Sequence, residues 1–226
     1  MNKRFLNLVL IAGVAAGSVA CKNDRENKVE SGEAQEAAVA TEAAVAYEID
    51  PSASTIEWRG TKPTGEHRGT INIQNGQIMA NAEKITSGQV TIDMNSIAVT
   101  DEGMDEKDRT SLENHLKGTV EGKETDFFNV QEYPTATFEI TGVTEENGGK
   151  MLQGNLTLKD ETKNIQFPLN NEIGEEELTL KSETFVIDRT DWGVNFGSKS
   201  IFDNLGDNFI SDDMELTLNV TARRVQ

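Results

Sequence analysis

The chain has 226 residues, of which 36% are hydrophobic and 6% aromatic, with 21 lysines and arginines against 39 aspartates and glutamates. A formal net charge of -18 argues against a nucleic-acid partner, because phosphate binding needs clustered basic residues. One cysteine and two histidines exclude an internal disulfide and a four-ligand Cys/His zinc site, so we expect no metal and no cofactor.

The first twenty residues are typical of a secretory signal peptide. Lys3 and Arg4 precede an apolar run over residues 5–20 that ends in small residues. The run is shorter than the roughly 20 residues that a transmembrane helix needs. We therefore predict a signal peptide at residues 1–20.

Cys21 stands where the small residues give way to a polar segment, and this junction resembles a bacterial lipobox. Plain signal cleavage is the alternative, because Ser18 occupies the position where leucine is usual. If Cys21 is lipidated, the lipid attaches the protein to a membrane in the cell envelope, since so acidic a chain repels anionic headgroups.

Residues 21–46 are predicted to be a flexible linker that follows the lipidated cysteine. Residues 22–46 contain no aromatic residue and are dominated by Ala, Glu, Gln, Ser and Val. Such a segment buries too little apolar surface to offset its ordering entropy. Both tryptophans and eight of the nine phenylalanines lie beyond it, so we place the folded domain at residues 47–226.

The hydrophobic period within this domain is two, as in strands with one buried face. Residues 214–222 are the clearest case, with an apolar side chain at every second position. Further strands are predicted at residues 55–58, 70–73, 90–94, 136–140, 152–158, 165–169, 178–180 and 184–187.

Turn signals separate several of these strands, and one helix interrupts them. Hairpin turns are predicted at residues 75–76, 147–149 and 159–162. Leu112 and Leu116 lie on one face of a short amphipathic helix over residues 106–117.

Eight or nine antiparallel strands in about 180 residues must close on themselves or split into two stacked sheets. Short hairpin loops favour closure, so we predict an all-β fold: a single eight-stranded antiparallel barrel with one short helix. The inward-facing residues are apolar, so any cavity would accept an apolar chain.

Several segments, in order along the chain, resemble the motifs of the YceI-like family. The most specific is residues 127–141 (FFNVQEYPTATFEIT), and residues 187–197 (IDRTDWGVNFG) are similar to a later motif. The other matching segments are residues 47–50, 54–58, 65–69, 92–97, 112–117, 154–160 and 210–216.

The resemblance implies an extended lipocalin-like barrel, found in exported bacterial proteins, whose apolar cavity holds polyisoprenoids or fatty-acid-like amphiphiles. No catalytic activity is established for that family as a class. The resemblance also suggests a homodimer, although the residues themselves do not decide the oligomeric state. Residues 118–125 are an insertion relative to most members, and we expect them beside the cavity entrance.

Six large apolar residues are candidates for ligand contact, since they supply much apolar surface with few rotatable bonds; packing of the barrel core is the alternative for each. If Phe127 and Phe128 lie in an extended chain, at most one of them lines the cavity, because neighbours in such a chain face opposite ways. The six are Phe127, Phe128, Phe138, Ile140, Trp192 and Phe196.

Three polar residues are further candidates for contact with a ligand headgroup. Arg189 could pair with a ligand headgroup, but a structural pair with an aspartate that caps the barrel is favoured. His67 and His115 could move a proton or bind a metal, but a hydrogen bond at the rim or to a headgroup is favoured.

The leading hypothesis is a non-enzymatic protein that binds, carries or stores an apolar amphiphile in the envelope. An enzyme acting on such a lipid, and a structural protein whose barrel is filled by its own side chains, are the alternatives.

Overall fold

A computed structural model describes residues 27–146 and 148–225. Within those ranges the chain forms eleven strands and one α-helix, α1, at Glu106–Lys117. The strands are β1 (Gly32–Glu33), β2 (Val45–Ile49), β3 (Thr55–Lys62), β4 (Gly65–Ala80), β5 (Ile85–Val99), β6 (Thr135–Glu146), β7 (Gly149–Leu158), β8 (Glu161–Ile173), β9 (Glu177–Ser182), β10 (Phe185–Asp188) and β11 (Asp213–Arg224). Short 3-10 helices lie at Pro51–Ala53, Arg189–Trp192 and Gly206–Asn208.

The strands pair antiparallel into a closed ring. Strands β4 to β8 follow one another in chain order, β8 pairs with β9, and β9 pairs with β11. β11 pairs on its other edge with β3, which pairs with β4 and closes the ring. β2 pairs with β11 and β4, as β3 does, and β10 pairs with the same edge of β11 as β9. These short strands therefore do not raise the number of strands around the barrel. The described strands therefore form the predicted eight-stranded barrel, which is confirmed.

The period-two pattern gives the barrel its apolar interior. In β11, Leu216 lies opposite Trp58 and Val220 opposite Leu180, so alternate residues of neighbouring strands meet on the inner face. The predicted strands fall within observed ones, except that the strand predicted at residues 184–187 begins one residue before β10. Their inward side chains form one continuous core. Burial of such side chains stabilises the fold by about 25 cal/mol per Å² of apolar surface.

The turn predicted at residues 75–76 does not exist. Asn75 and Gly76 lie inside β4, where the pairing with β5 shifts between Ile73 and Asn75. A Cβ on Gly76 would lie 2.7 Å from Ile49 Cδ1 and 2.8 Å from the Gln89 carbonyl oxygen, so this position requires glycine because strands approach closely. The bulge bends the strand, and the long β4 curves around the barrel instead of ending.

The other predicted turns are confirmed. β6 ends at Glu146 and β7 begins at Gly149, and between them Gly148 has a φ of 82°; Asn147 lies outside the described residues. Lys159, with a φ of 57°, begins the tight turn from β7 to β8. Both turns use the left-handed backbone that hairpins need.

Helix α1 has the predicted limits, and both of its ends are capped. The Asp105 carboxylate accepts a hydrogen bond from the Asp108 N–H at 3.0 Å, and Gly118 ends the helix in the left-handed conformation at φ 71°. Residues 118–125, the insertion, fold back at this end, where Thr119 N–H donates to the Asn114 carbonyl. In the part of the chain that the structure describes, no helix is long and apolar enough to cross a bilayer.

Residues 27–44, here called the strap, differ from the predicted flexible linker. Val29 N–H donates to the Val186 carbonyl at 2.8 Å, and Val186 N–H donates to the Asn27 carbonyl at 3.1 Å. Three residues later β1 pairs with β8 at Asn164 and Lys163. The strap therefore fills the seam between β10 and the part of β8 that β9 does not reach. Composition did not reveal this, because the strap is held mainly by backbone hydrogen bonds on open strand edges, although Val29 also packs against the core.

A buried amide on the outer face of the barrel holds the next part of the strap. Asn155 accepts from Gln35 N–H at 3.0 Å and donates to the Gln35 carbonyl at 2.7 Å, as a neighbouring strand would. Asn164 donates to the same Asn155 oxygen at 3.0 Å, so the amide is held in place. The predicted signal peptide at residues 1–20 and Cys21 lie outside the described residues.

We expect Asn155→Ala to detach the strap, because the change removes both hydrogen bonds to Gln35. It also removes one of the two acceptors of the Asn164 amide, the other being Thr141 Oγ1. The predicted loss is about 1–3 kcal/mol of unfolding free energy in urea, with faster amide hydrogen exchange at residues 28–38. Asn170→Ala, at an exposed position of β8, is the control and should change neither quantity. Unchanged exchange in Asn155→Ala would show that the amide does not hold the strap.

Candidate ligand cavity

The inside of the barrel contains a small cavity with an entirely apolar wall, here called the barrel chamber. Its volume is about 110 Å³, and its wall consists only of Ile, Val, Leu, Met, Ala and Phe side chains. Four of them, unlike the fully buried core around them, stay partly accessible: Val90, Met214, Leu216 and Leu218. The chamber offers no hydrogen bond from a side chain, so it can select a ligand only by apolar surface and shape.

A second cavity, the mouth chamber, lies at the end of the barrel that α1 and the 3-10 helix Arg189–Trp192 cover. Its volume is about 240 Å³, and its wall combines apolar residues with Lys62, His67, His115 and Asp213. The two chambers share three wall residues, Ile71, Phe128 and Met214. A chamber with a mostly apolar wall that contains a few polar side chains thus adjoins an entirely apolar one. This change in polarity matches that along an amphiphile.

Each histidine of the mouth chamber is held by a carboxylate. Asp101 Oδ2 lies 2.6 Å from His67 Nδ1, and Asp126 Oδ2 lies 2.7 Å from His115 Nε2. A neutral imidazole donates its N–H to such a carboxylate and presents its second nitrogen as an acceptor. In the described part of the chain, no group of three or more His, Cys, Asp and Glu side chains could hold a metal ion.

Aromatic rings form one side of the mouth chamber. The His115 ring makes edge contacts with Phe127 and with Phe196, each at 5.1 Å between centroids, and the two phenylalanine rings lie 5.2 Å apart. Phe196 remains 38% exposed. The cluster therefore connects α1 to the loop after the 3-10 helix and leaves one ring at the surface of the opening.

Arg189 holds the backbone of the mouth in place. Its guanidinium donates to the Ser211 carbonyl at 2.9 Å, the Phe196 carbonyl at 2.9 Å and the Ile210 carbonyl at 3.2 Å, and also to the Val194 carbonyl. Asp212 lies 3.7 Å away. Burial lowers the pKa of Arg189 from its ordinary value, and the nearby carboxylates of Asp212 and Asp188 oppose that shift. The sequence analysis favoured a structural role for Arg189 through a pair with an aspartate. In the structure its main partners are four backbone carbonyl oxygens, and Asp212 is a more distant one.

The structure distributes the candidate contact residues over the two chambers. Phe138 and Ile140 line the barrel chamber, and Phe127, Phe196 and Arg189 line the mouth chamber. Phe128 lines both. Trp192 lines neither: it is fully buried, and its Nε1–H donates to the Leu156 carbonyl at 3.0 Å.

The extended chain on which the expectation for Phe127 and Phe128 depends is not present in the structure. Both contribute to the wall of the mouth chamber. These residues lie in a loop that bends before Asn129, whose φ is 46°, so the two side chains need not face opposite ways.

Sequence reasoning did not single out Trp58, Met214, Leu216 or Leu218 as site residues. Their signal was present, because each occupies an inward position of a predicted alternating strand. The pattern does not give the position of each residue along the barrel axis, because that position depends on strand register.

Comparison with known proteins identifies the domain. Residues 47–222 match the family model described as YceI-like domain. The fold is similar to that of Burkholderia cenocepacia BcnA, with a TM-score of 0.59 and 20% identity over 77% of this chain and 99% of that chain. It is also similar to a polyisoprenoid binding domain from Saccharophagus degradans implicated in plant cell wall breakdown, with a TM-score of 0.54 and 16% identity over 80% of this chain and 99% of that chain. No curated protein matches the chain.

We expect Gly154→Ala to push Phe138 out of its position in the barrel chamber. A Cβ on Gly154 would lie 2.2 Å from Phe138 Cζ, so the ring must move. The predicted cost is about 1–3 kcal/mol in urea unfolding. Gly142→Ala is the matched control, because its Cβ would meet only the end of the Gln153 side chain, at 3.3 Å. Equal stability of the two variants would contradict the contact.

Arg189→Met should destabilise the protein by at least about 3 kcal/mol in urea unfolding, because buried carbonyl groups lose their charged donor. Arg189→Lys should rescue little, since one ammonium cannot reproduce the fork geometry of a guanidinium. Arg223→Met tests an exposed arginine paired with Asp50 and should change stability by less than about 1 kcal/mol. A small effect of Arg189→Met would show that the mouth does not depend on this residue.

Proposed function

Since the chain belongs to the YceI-like domain family, we propose that it binds an apolar amphiphile, a polyisoprenoid or a fatty-acid-like molecule, and carries or stores it without chemical change. The observation that carries the proposal is the apolar barrel chamber, which adjoins a mouth chamber whose wall contains polar side chains. The tail would enter the barrel, and the headgroup would remain among the histidines and Lys62. The similarity of the fold to a domain named for polyisoprenoid binding supports the same ligand class.

The energetics favour recognition of the tail. Transfer of one CH₂ group from water into such a chamber contributes about 0.8 kcal/mol, so affinity should rise with tail length. Met214 belongs to the wall of both chambers. Its unbranched side chain can change rotamer at low cost, which lets one tail occupy both spaces.

We place this activity in the cell envelope, with the protein attached by lipid at Cys21. The strap begins beside the mouth, because Lys28 Nζ donates to Asp213 Oδ1 at 2.6 Å and Asp213 belongs to the mouth wall. Lys28 is the seventh residue after Cys21, so the two are at most about 25 Å apart along an extended chain. A lipid on Cys21 would thus keep the opening close to the bilayer, the natural source of an apolar ligand.

Native mass spectrometry of protein expressed with its own envelope lipids tests the proposal, followed by organic extraction of any adduct. We expect a stoichiometric apolar molecule on the wild type. Ala136→Leu, which adds bulk to the wall of the barrel chamber, should remove the adduct while leaving the melting temperature within a few degrees. Ala98→Leu, at a half-buried position outside both chambers, should retain it.

A ligand-free wild type that also fails to take up added farnesol or palmitic acid would overturn the proposal. That result would favour a structural protein whose barrel is filled by its own side chains.

A second candidate is an enzyme that acts on the bound amphiphile, with a histidine as general base. The observation that favours it is the pair of His–Asp contacts on one cavity wall, since a carboxylate orients an imidazole for proton transfer. The test is the chemical identity of lipid recovered from the wild type and from His67→Gln/His115→Gln after incubation. A product formed only by the wild type would support an enzyme, and identical lipids would support a carrier.

A further inference from the structure

Exposed apolar side chains cluster in residues 196–210, here called the mouth loop, which follow the 3-10 helix Arg189–Trp192 and lead to β11. Five large apolar residues are exposed in the part of the chain that the structure describes. Three of them lie in this loop, within a stretch of seven residues: Phe196, Ile201 and Phe202. Such a cluster is typical of a surface that contacts a partner or a membrane.

Both ends of the mouth loop are fixed at the opening of the barrel. The Arg189 guanidinium donates to the Phe196 carbonyl at 2.9 Å and to the Ile210 carbonyl at 3.2 Å. Ile210 N–H donates to the Gly197 carbonyl at 2.8 Å, which joins the two ends to each other. Phe196 also belongs to the wall of the mouth chamber. The exposed cluster therefore lies beside the entrance to the cavity.

A hydrogen-bonded turn supports the two exposed neighbours Ile201 and Phe202. Phe202 N–H donates to the Ser198 carbonyl at 2.9 Å, and Ser198 is fully buried. The exposed pair thus lies within one turn of a buried part of the loop. A backbone held in this way loses little further conformational entropy when its side chains dock.

The charges of the mouth loop and of the two residues after it favour a neutral lipid surface over an anionic one. Residues 196–212 contain one lysine and three aspartates: Lys199, Asp203, Asp207 and Asp212. Anionic headgroups would therefore meet a surplus of carboxylates. Contact with a bilayer at this loop depends on the apolar side chains and not on charge.

The area of the cluster favours a bilayer over a second copy of the chain. Phe196, Ile201 and Phe202 are between 38% and 51% exposed. A large apolar side chain has about 150–250 Å² of surface, so the three together present roughly 300 Å². A stable protein interface needs about 800 Å² on each partner. A bilayer sets no such threshold, because a few side chains can enter it by themselves.

The described part of the strap begins close to the mouth loop. Lys28 Nζ donates to Asp213 Oδ1 at 2.6 Å, and Asp213 is the third residue after the loop. The proposed lipid at Cys21 would therefore attach the chain at the end of the barrel where the apolar cluster is exposed.

We propose that the mouth loop docks on the surface of a bilayer with zwitterionic headgroups, where Phe196, Ile201 and Phe202 enter the boundary between headgroups and acyl chains. This docking rests on the proposed function and adds to it the partner surface and the orientation of the protein. It turns the mouth chamber towards the bilayer, so an amphiphile passes between bilayer and barrel with little exposure to water.

Tryptophan reporters on the full chain test the docking. Phe202→Trp places a reporter in the mouth loop, and both native tryptophans are buried. Val225→Trp is the matched control, because Val225 is 47% exposed against 48% for Phe202 and follows the end of β11 that is remote from the mouth. With vesicles of phosphatidylcholine brominated near the headgroup, we expect quenching of Phe202→Trp and no quenching of Val225→Trp beyond that of the wild type.

Two results of the quenching experiment would overturn the docking: equal quenching of both reporters, and an unquenched Phe202→Trp in the presence of vesicles. Addition of phosphatidylglycerol to the vesicles should not increase the quenching, since the loop carries more carboxylates than ammonium groups. Stronger quenching by these anionic vesicles would contradict docking through apolar side chains.

Ile201→Asp/Phe202→Asp tests what the docking does for ligand uptake. Both side chains are exposed, so the melting temperature should be retained. We expect uptake of palmitic acid from phosphatidylcholine vesicles to slow at least about 10-fold, and affinity for palmitic acid in vesicle-free buffer to stay within about twofold. Val225→Asp is the control and should change neither quantity. Unchanged uptake by the double variant would overturn the docking, as would an equal loss of affinity without vesicles.

Failure of the docking and failure of the proposed function give different results. If the wild type binds neither palmitic acid nor farnesol, the proposed function fails, and quenching of Phe202→Trp still measures the docking by itself. Sedimentation without vesicles tests the second copy of the chain as the occupant. A dimer that dissociates in Ile201→Asp/Phe202→Asp would assign the cluster to a protein interface and overturn the docking.

Discussion

The closure of the barrel depends on strand β11, and the rest of the structure follows from that closure. β11 pairs with β2 and β3 on one edge and with β9 and β10 on the other, so a single strand joins the beginning of the domain to its end. An antiparallel sheet without this strand would have two open edges. Because β11 alternates strictly, closing the ring also turns Met214, Leu216 and Leu218 towards the barrel chamber.

A closed ring separates the chemistry of the two chambers. Alternation continues along the strands, so the chamber they enclose is apolar throughout. At the covered end the wall is completed by α1 and by the chain around Arg189, which do not follow a period of two. His115 and Arg189 enter the wall from these segments, whereas Lys62, His67 and Asp213 lie at or near the ends of β3, β4 and β11. The polar side chains of the wall thus lie at the end of the barrel, where the strands begin or end.

The part of the fold that could be predicted from the sequence is the part governed by local pattern. The limits of α1 follow from an aspartate cap and a terminal glycine, and β11 follows from uninterrupted alternation. Residues 75–76 were misleading because Asn-Gly also suits a bulge, and only the approach of Ile49 and the Gln89 backbone distinguishes a bulge from a turn. The strap was missed for a similar reason: Asn155 and the edge of β8, both more than a hundred residues away, order a segment that has little tendency to fold by itself.

The sequence by itself determined the barrel and its apolar interior and indicated an apolar ligand, because these depend on period, composition and family motifs that are readable one segment at a time. Only the tertiary structure decided which residues share a wall. It brought Trp58, His67 and His115 to one chamber, assigned Trp192 to the core, and used Arg189 to hold four backbone carbonyls. The physical reason is that strand register and loop geometry set these contacts, and both emerge only when distant strands pair.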